Sequence, residues 1–412
     1  MVLFQRFAWI AVSRVVAAAL QAVALVLIAR VTGPSQFGIL ASFIGLVIII
    51  QVVSDGGIGT YILRLRVNNP NSNQISLALK VHQVFGILAC VLLIVASVIL
   101  ANATGLLWWL LIPLAVAGYV ERQGDVRLTL AIADGDVWKN ALGLTLRRLL
   151  TLIGVLVGFH TTMDAIFYFG LATLLGSLFS LWLSRRVIDC PRYVGRFGLL
   201  ECRQLFSACR PFWVNSIGVQ LRNLDVVLVA TLATPVVAGY YGSVARSLSP
   251  LMMISSSLAT VLLPIAAGAK GKIERSLVIP VALVLSLVSI FYIGMAYYAD
   301  EIVLLLFGPQ YGPAAGAFRI AVLGLVFSST SSLLTSLLQA RALEQYVAFV
   351  SILTSLLSLV AISMGVCFYG LIGAATGLAF AYVVQAVLLV ARVIKSQPIF
   401  DDGGKTVVGT RL

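Results

Sequence analysis

Charge is what this sequence has least of. Only 10% of its 412 residues are Asp, Glu, Lys or Arg, while 60% are apolar and the mean hydropathy is +1.05. A water-soluble domain carries about a quarter charged residues, so the chain lacks the polar surface to face water. Acids are scarcer than bases, 15 against 28, which leaves a net charge of +13. Histidine occurs twice, at His82 and His160 in different segments, so the sequence holds no histidine cluster for a metal. The five cysteines, Cys90, Cys190, Cys202, Cys209 and Cys367, form no CxxC pair and read as small apolar filler or surface thiols. GxxxxGK[ST], HExxH and GxSxG are all missing, so ATP hydrolysis, zinc proteolysis and serine hydrolysis have no basis here, and no cofactor or metal is expected. No basic patch is interleaved with aromatics, which argues against nucleic acid as a partner.

What the chain has is length of apolar run. Stretches of about 20 residues, enough to cross hydrocarbon as a helix, recur along its whole length, with none of the ten-residue alternation of a barrel. The first run, from Trp9 to Ala29, is too long for the apolar core of a signal peptide and is interrupted by Arg14 and Gln21, so it reads as a retained helix. Breaks at Gly, Pro, Asn and charge predict twelve spans: 8–30, 37–56, 77–100, 105–124, 139–159, 164–185, 206–233, 236–265, 276–299, 314–340, 346–367 and 370–394. Lys and Arg fall almost entirely in the even-numbered connections and the C-terminal tail, and the odd-numbered ones hold little beyond Arg30. Insertion favours Lys and Arg on the cytoplasmic side, so both termini are predicted to be cytoplasmic. The excess positive charge is then explained by topology and by anionic membrane lipids. The odd connections are also short, which argues against a membrane polymerase or ligase with catalytic groups outside.

The chain divides into a six-helix bundle over 1–186, a cytoplasmic link over 187–205, a second six-helix bundle over 206–395 and a tail over 396–412. The bundles look related. The stretch from Leu27 through Pro34 to Gly38 aligns with that from Leu228 through Pro235 to Gly239 at a constant offset of 201, and Ser42 aligns with Ser243. Six helices return the chain to its starting side, so the pseudo-twofold axis is predicted along the membrane normal.

Function in such a chain is sought where polarity is expensive, because a charge at the bilayer centre costs at least about 2.5–3.5 kcal/mol. Arg14 and Gln21 share one face of the first helix; Asn215, Arg222 and Asp225 share one face of the seventh. The repeat offset sets Arg14 against Asn215 and Gln21 against Arg222. Arg246 and Arg319 are further intramembrane cations. These six residues other than Asp225 are the candidate substrate contacts, and Asp225 and Asp55 are the candidate ion-coupling acids. Snorkelling of Arg14 and an i, i+3 ion pair between Arg222 and Asp225 are the structural alternatives. The excess of guanidinium groups suits phosphate oxygens better than a cationic drug. Asp55-Gly-Gly-Ile-Gly59 reads as a helix end or an unwound ligand-contacting segment, Asp134-Gly-Asp136 as a turn outside any nucleotide-binding fold, and Tyr240 and Tyr241 as part of an aromatic belt.

Several motifs carry a resemblance. Ala29-Arg30-Val-Thr-Gly-Pro34-Ser-Gln-Phe-Gly38, Asp55-Gly-Gly-Ile-Gly59, Leu224-Asp225-Val-Val-Leu228, Gly239-Tyr-Tyr-Gly-Ser-Val-Ala-Arg246, Leu306-Phe-Gly-Pro-Gln-Tyr311 and Gly370-Leu-Ile-Gly-Ala-Ala375 resemble the polysaccharide transporter or oligosaccharide (Wzx-type) flippases. Those belong to the multidrug/oligosaccharidyl-lipid/polysaccharide (MOP) export superfamily. The resemblance covers essentially the whole chain but is too loose to name a glycan. It implies an all-α integral membrane fold of two six-helix bundles around a cationic cavity, in the bacterial inner membrane. It also implies transport of an undecaprenyl-pyrophosphate-linked oligosaccharide to the outer leaflet by alternating access, coupled to H+ or Na+ or driven by membrane potential, alongside other polysaccharide-assembly membrane proteins. A drug or small-molecule exporter of the same superfamily is the alternative.

Overall fold

The structure is a computed structural model that describes residues 2–69, 72–104, 106–161, 163–188, 198–268, 275–341 and 343–395. The predicted tail 396–412, residues 189–197 of the predicted link and the side chain of Asn215 lie outside the described residues. The described residues form thirteen α-helices and no strand: α1 (Val2–Asp55), α2 (Ile58–Asn68), α3 (Asn73–Thr104), α4 (Ile112–Ala133), α5 (Val137–Gly158), α6 (Ala165–Val187), α7 (Leu199–Gln220), α8 (Asp225–Leu232), α9 (Pro235–Gly268), α10 (Arg275–Tyr297), α11 (Ala299–Phe307), α12 (Ala314–Ala340) and α13 (Glu344–Lys395).

At 54 and 52 residues, α1 and α13 are more than twice the length needed to cross a membrane. Each is broken by one glycine in a conformation that L residues rarely adopt, Gly33 (φ 74°) and Gly370 (φ 57°). Each therefore supplies two spans. With α7 and α8 counted as one segment and α2 and α11 as none, the described helices match the twelve predicted segments, and α1, α3, α5, α6, α12, α13 and the bent α10–α11 pair are long and apolar enough to cross a membrane. Large apolar side chains stand exposed around the outside, Ile99 at 61%, Ile290 at 66% and Phe349 at 62%, as only hydrocarbon permits. Between helices the packing relies on small residues. Gly154 sits on Ala172, and in α13 Gly365 sits on Gly373 and Gly377 on Ala361, a close antiparallel pair about the Gly370 turn.

Several elements depart from the sequence expectation: α2 fills part of a predicted connection, and α7 begins at Leu199, inside the predicted 187–205 link. The predicted 206–233 helix is interrupted by a 3₁₀ turn at Leu221–Leu224. The ninth span bends by 73° into α11 beyond the expected end at 299. The fourth runs to Ala133 instead of 124, because Glu121 and Asp125, which look like a helix end in sequence, are paired with Arg147 and Arg148 of α5.

Helices α2–α6 pack mainly on one another and on α1, and α8–α13 likewise form a second group, while α1 and α7 lie along the boundary between the two lobes. The main contact between them is α1 against α9. The repeat makes it: Gly38 lies on the backbone of Pro235, and Gly239 lies on the backbone of Pro34. The residues aligned in sequence are thus crossed in space about a pseudo-twofold axis. At the other end of the molecule, Gly57 (φ 75°) lets the turn after Asp55 approach the backbone of α7, and Trp213 Nε1 donates to Val53 O at 3.0 Å.

Candidate substrate cavity

The 3₁₀ turn is where the site begins. Gln220 to Asp225 contains neither Gly nor Pro, and the chain tightens there so that Asn223 Nδ2 donates to Gln220 O (3.2 Å) and Gln220 Oε1 (2.6 Å). A 3₁₀ stretch inside a spanning helix is tolerated where the backbone borders a polar cavity. A cavity of about 310 Å³ lies there, walled by Arg222, Asp225 and Arg246 together with Ser351, Ser355 and Tyr382.

Each charged group in it is held differently. Asp225 is buried; its Oδ1 accepts from Val226 N (2.7 Å) and its Oδ2 from the Tyr241 hydroxyl (3.1 Å). Among the described residues no ion pair joins Asp225 to Arg222 or Arg246. The Arg222 guanidinium lies over the Tyr382 ring, 5.3 Å from its centroid, a cation–π contact. Arg246 Nη2 donates to Ala41 O of α1 at 3.2 Å, across the lobe boundary. The Nε of both arginines is buried without a hydrogen-bond partner. A buried guanidinium N–H left unpaired is costly, and two of them border this one void. Arg246 also borders a second cavity of about 560 Å³, mostly apolar, between the first half of α1 and α9–α12.

Of the sequence candidates, the structure brings Arg222, Asp225 and Arg246 into one cavity and places the rest elsewhere. Arg14 is exposed and Gln21 half-buried on the first half of α1, and neither lines that cavity. Asn215 lies on α7, its side chain outside the described residues. Arg319 is half-exposed, donating to Asp300 Oδ2 (2.6 Å) and Ala296 O (3.1 Å). Asp55 is buried in the other lobe between Arg122 (3.0 Å) and His82 (3.1 Å). Asp134 pairs with Arg66 at 2.7 Å and Asp136 with Lys139 at 2.6 Å, so both acids of the DxD turn are consumed by salt bridges. Among the described residues no group of three or more metal-type side chains converges.

Tyr241 is a correction. It is fully buried and hydrogen-bonded to Asp225, not part of an interfacial belt. The signal that locates it is its spacing: Tyr241 and Arg246 follow the Pro235 helix start on α9, which packs on α8. Tyr382, Ser351 and Ser355, all on α13, carry no comparable signal.

Two family models, both described as polysaccharide biosynthesis proteins, match residues 3–117 and 144–316. No curated protein sequence matches. Among solved structures, the inward closed conformation of the lipid II flippase MurJ superimposes with a TM-score of 0.76 and 15% identity, over 95% of this chain and 88% of that one. The inward-facing conformation of a multidrug resistance MATE family transporter of the MOP superfamily gives 0.73 and 13%, over 92% and 95%. The outward-facing conformation of a multidrug resistance MATE family transporter gives 0.62 and 13%, over 95% and 96%.

Proposed function

Two polysaccharide biosynthesis family models match this chain and its fold is that of solved MOP transporters, and from that premise we propose that it carries an anionic lipid-linked oligosaccharide from the cytoplasmic to the outer leaflet of the bacterial inner membrane. The observation that carries this reading is the pair of arginines, Arg222 and Arg246, whose Nε groups are buried and unpartnered around one intramembrane cavity.

A diphosphate linker supplies what those groups lack. Guanidinium forks bind phosphate oxygens bidentately and stay charged at every physiological pH. Tyr382 stacks on one fork and the Ala41 carbonyl steers the other, so both are oriented before the anion arrives. Asp225, held by Tyr241 and the Val226 amide, tempers the positive field and is the candidate proton or sodium site. Outward movement of an anion across an inside-negative potential is favourable by about 2.3 kcal/mol per charge per 100 mV. Return of the empty cationic site is favourable too, so the potential alone drives a cycle. A cationic drug fits this cavity poorly, because Asp225 is its one lining acid and is already hydrogen-bonded.

The test is surface glycan display in cells carrying Arg222→Ala or Arg246→Ala as the only copy. Display should fall at least tenfold with membrane abundance unchanged. Normal display with either variant would remove the arginines from the transport path.

A further inference from the structure

Two of the turn motifs have no part in the cavity: Ala29-Arg30-Val-Thr-Gly-Pro34 and Leu306-Phe-Gly-Pro-Gln-Tyr311. They meet each other across the lobe boundary. Arg30 Nε donates to Leu306 O at 2.6 Å, and its Nη2 donates to Leu305 O. In return Gln310 Nε2 donates to Arg30 O at 2.8 Å, and the Tyr311 hydroxyl donates to Ala29 O at 3.1 Å.

Each side offers what the other is missing. Pro34 has no N–H, so the carbonyl four residues upstream, that of Arg30, loses its intrahelical donor. Gln310 satisfies that carbonyl, and Tyr311 adds a bond to its neighbour, the Ala29 carbonyl. On the other side α11 ends at Phe307, and Gly308 (φ 87°) turns its N–H back to Leu304, which leaves the Leu305 and Leu306 carbonyls free. They receive the Arg30 guanidinium at the negative end of the helix dipole. Beneath these bonds Tyr311 is fully buried in an aromatic plug, 6.4 Å from Phe37 of α1, 6.0 Å from Tyr240 and 5.3 Å from Phe307 between ring centroids.

We infer that the Arg30 and Gln310 turns form a latch that holds the extracytoplasmic end of the two lobes shut and must break before the cavity opens outward. Three features separate a latch from ordinary packing. It joins α1 of one lobe to α11 and the 309–311 turn of the other, which an outward opening must part. Arg30 and Gln310 are exposed, so water replaces their bonds on opening, and such bonds contribute little net stability and break readily. Arg30 is also the cation that departs from the positive-inside asymmetry, and the residue 201 positions on, at the equivalent turn of the second half, is Thr231. The latch is one-sided and gives that exception a purpose.

The inference assumes the rocking motion proposed above but not its cargo, so its test reads access instead of transport. The five native cysteines are replaced, one cysteine is introduced at Ser351 on the cavity wall, and spheroplasts are treated with a membrane-impermeant maleimide. Arg30→Ala and Gln310→Ala should each raise the labelling rate at least threefold, and Arg30→Lys, which keeps one donor toward one carbonyl, should raise it less. Unchanged labelling in both alanine variants at native abundance overturns the latch. Should Arg30→Ala fail to accumulate, Gln310→Ala, which removes one exposed side chain, decides alone. Lost glycan display in Arg222→Ala with normal labelling would leave the cargo reading standing whichever way the latch falls.

Discussion

Replace Gly38 with alanine and a methyl group must fit where α1 crosses α9. A Cβ built there lies 2.7 Å from Gly239 N and overlaps the Pro235 carbonyl; one built at Gly239 lies 2.6 Å from the Pro34 carbonyl carbon. Carbon contacts settle at about 3.5–4.0 Å, so the helices must part by about 1 Å. The obstacle is backbone on both sides, which cannot rotate away as a side chain would. Overpacking of this kind costs about 1–3 kcal/mol. In the rocking cycle proposed above, the strain is relieved by opening this end instead of by unfolding. At 1.4 kcal/mol per tenfold, the ratio of closed to outward-open molecules should fall about 5- to 140-fold in either variant. The single-cysteine labelling described above reads this directly, and thermal melting of the purified protein in detergent should change little. The double variant is the sharper test. Once one methyl has spread the crossing, the second finds room, so Gly38→Ala with Gly239→Ala should resemble either alone, with a coupling about as large as the single effect. Additive loss of melting temperature with no gain in labelling would show a rigid core contact and refute the idea that the two lobes part here.

Two further outcomes follow from the buried polar groups. Tyr241→Phe removes the donor to Asp225 Oδ2 and leaves a buried carboxylate oxygen unpaired; about 1–3 kcal/mol of stability should be lost, seen as a lower melting temperature, and an unchanged melt would mean that Tyr241 is packing alone. Asp55→Asn strips the charge partner from Arg122 and His82 in the other lobe; it should destabilise by about 3 kcal/mol while Arg222-dependent glycan display persists in the protein that remains, whereas a stable but transport-dead variant would make Asp55 a coupling acid.

How much was legible depended on what each feature is made of. Membrane class, span number and turns are written in apolar runs and in Gly and Pro, so Gly33-Pro34, Pro235 and Gly370 stand out unaided. Charge asymmetry among the loops gives the same twelve spans from independent residues. The break at Leu221–Leu224 is invisible, because Gln-Leu-Arg-Asn-Leu-Asp is an acceptable helix and the 3₁₀ turn is imposed by what packs around it. Arg222 and Arg246 could be picked out because a guanidinium inside an apolar segment is rare. The same reasoning selected Asp55 and Arg319, whose partners His82, Arg122 and Asp300 only the fold brings near. Ser351 and Ser355 look like neutral packing in an apolar helix. The latch leaves the least trace of all, since half of every bond in it is a backbone carbonyl, which any residue supplies.

The internal repeat explains why these two kinds of feature coexist. Matched residues, Pro34 with Pro235 and Gly38 with Gly239, make the crossing, where each lobe presents the same surface to the other. Matched positions also differ: Arg30 stands opposite Thr231, Arg14 opposite Asn215 and Gln21 opposite Arg222. A ligand entering from one leaflet and leaving to the other needs a site in one lobe and a lock at one end, and neither can be symmetric. Departures from the repeat therefore single out function where its preservation singles out mechanics. By that criterion the cationic cavity falls in the second lobe and the latch cation in the first, which is where Arg222 and Arg30 lie.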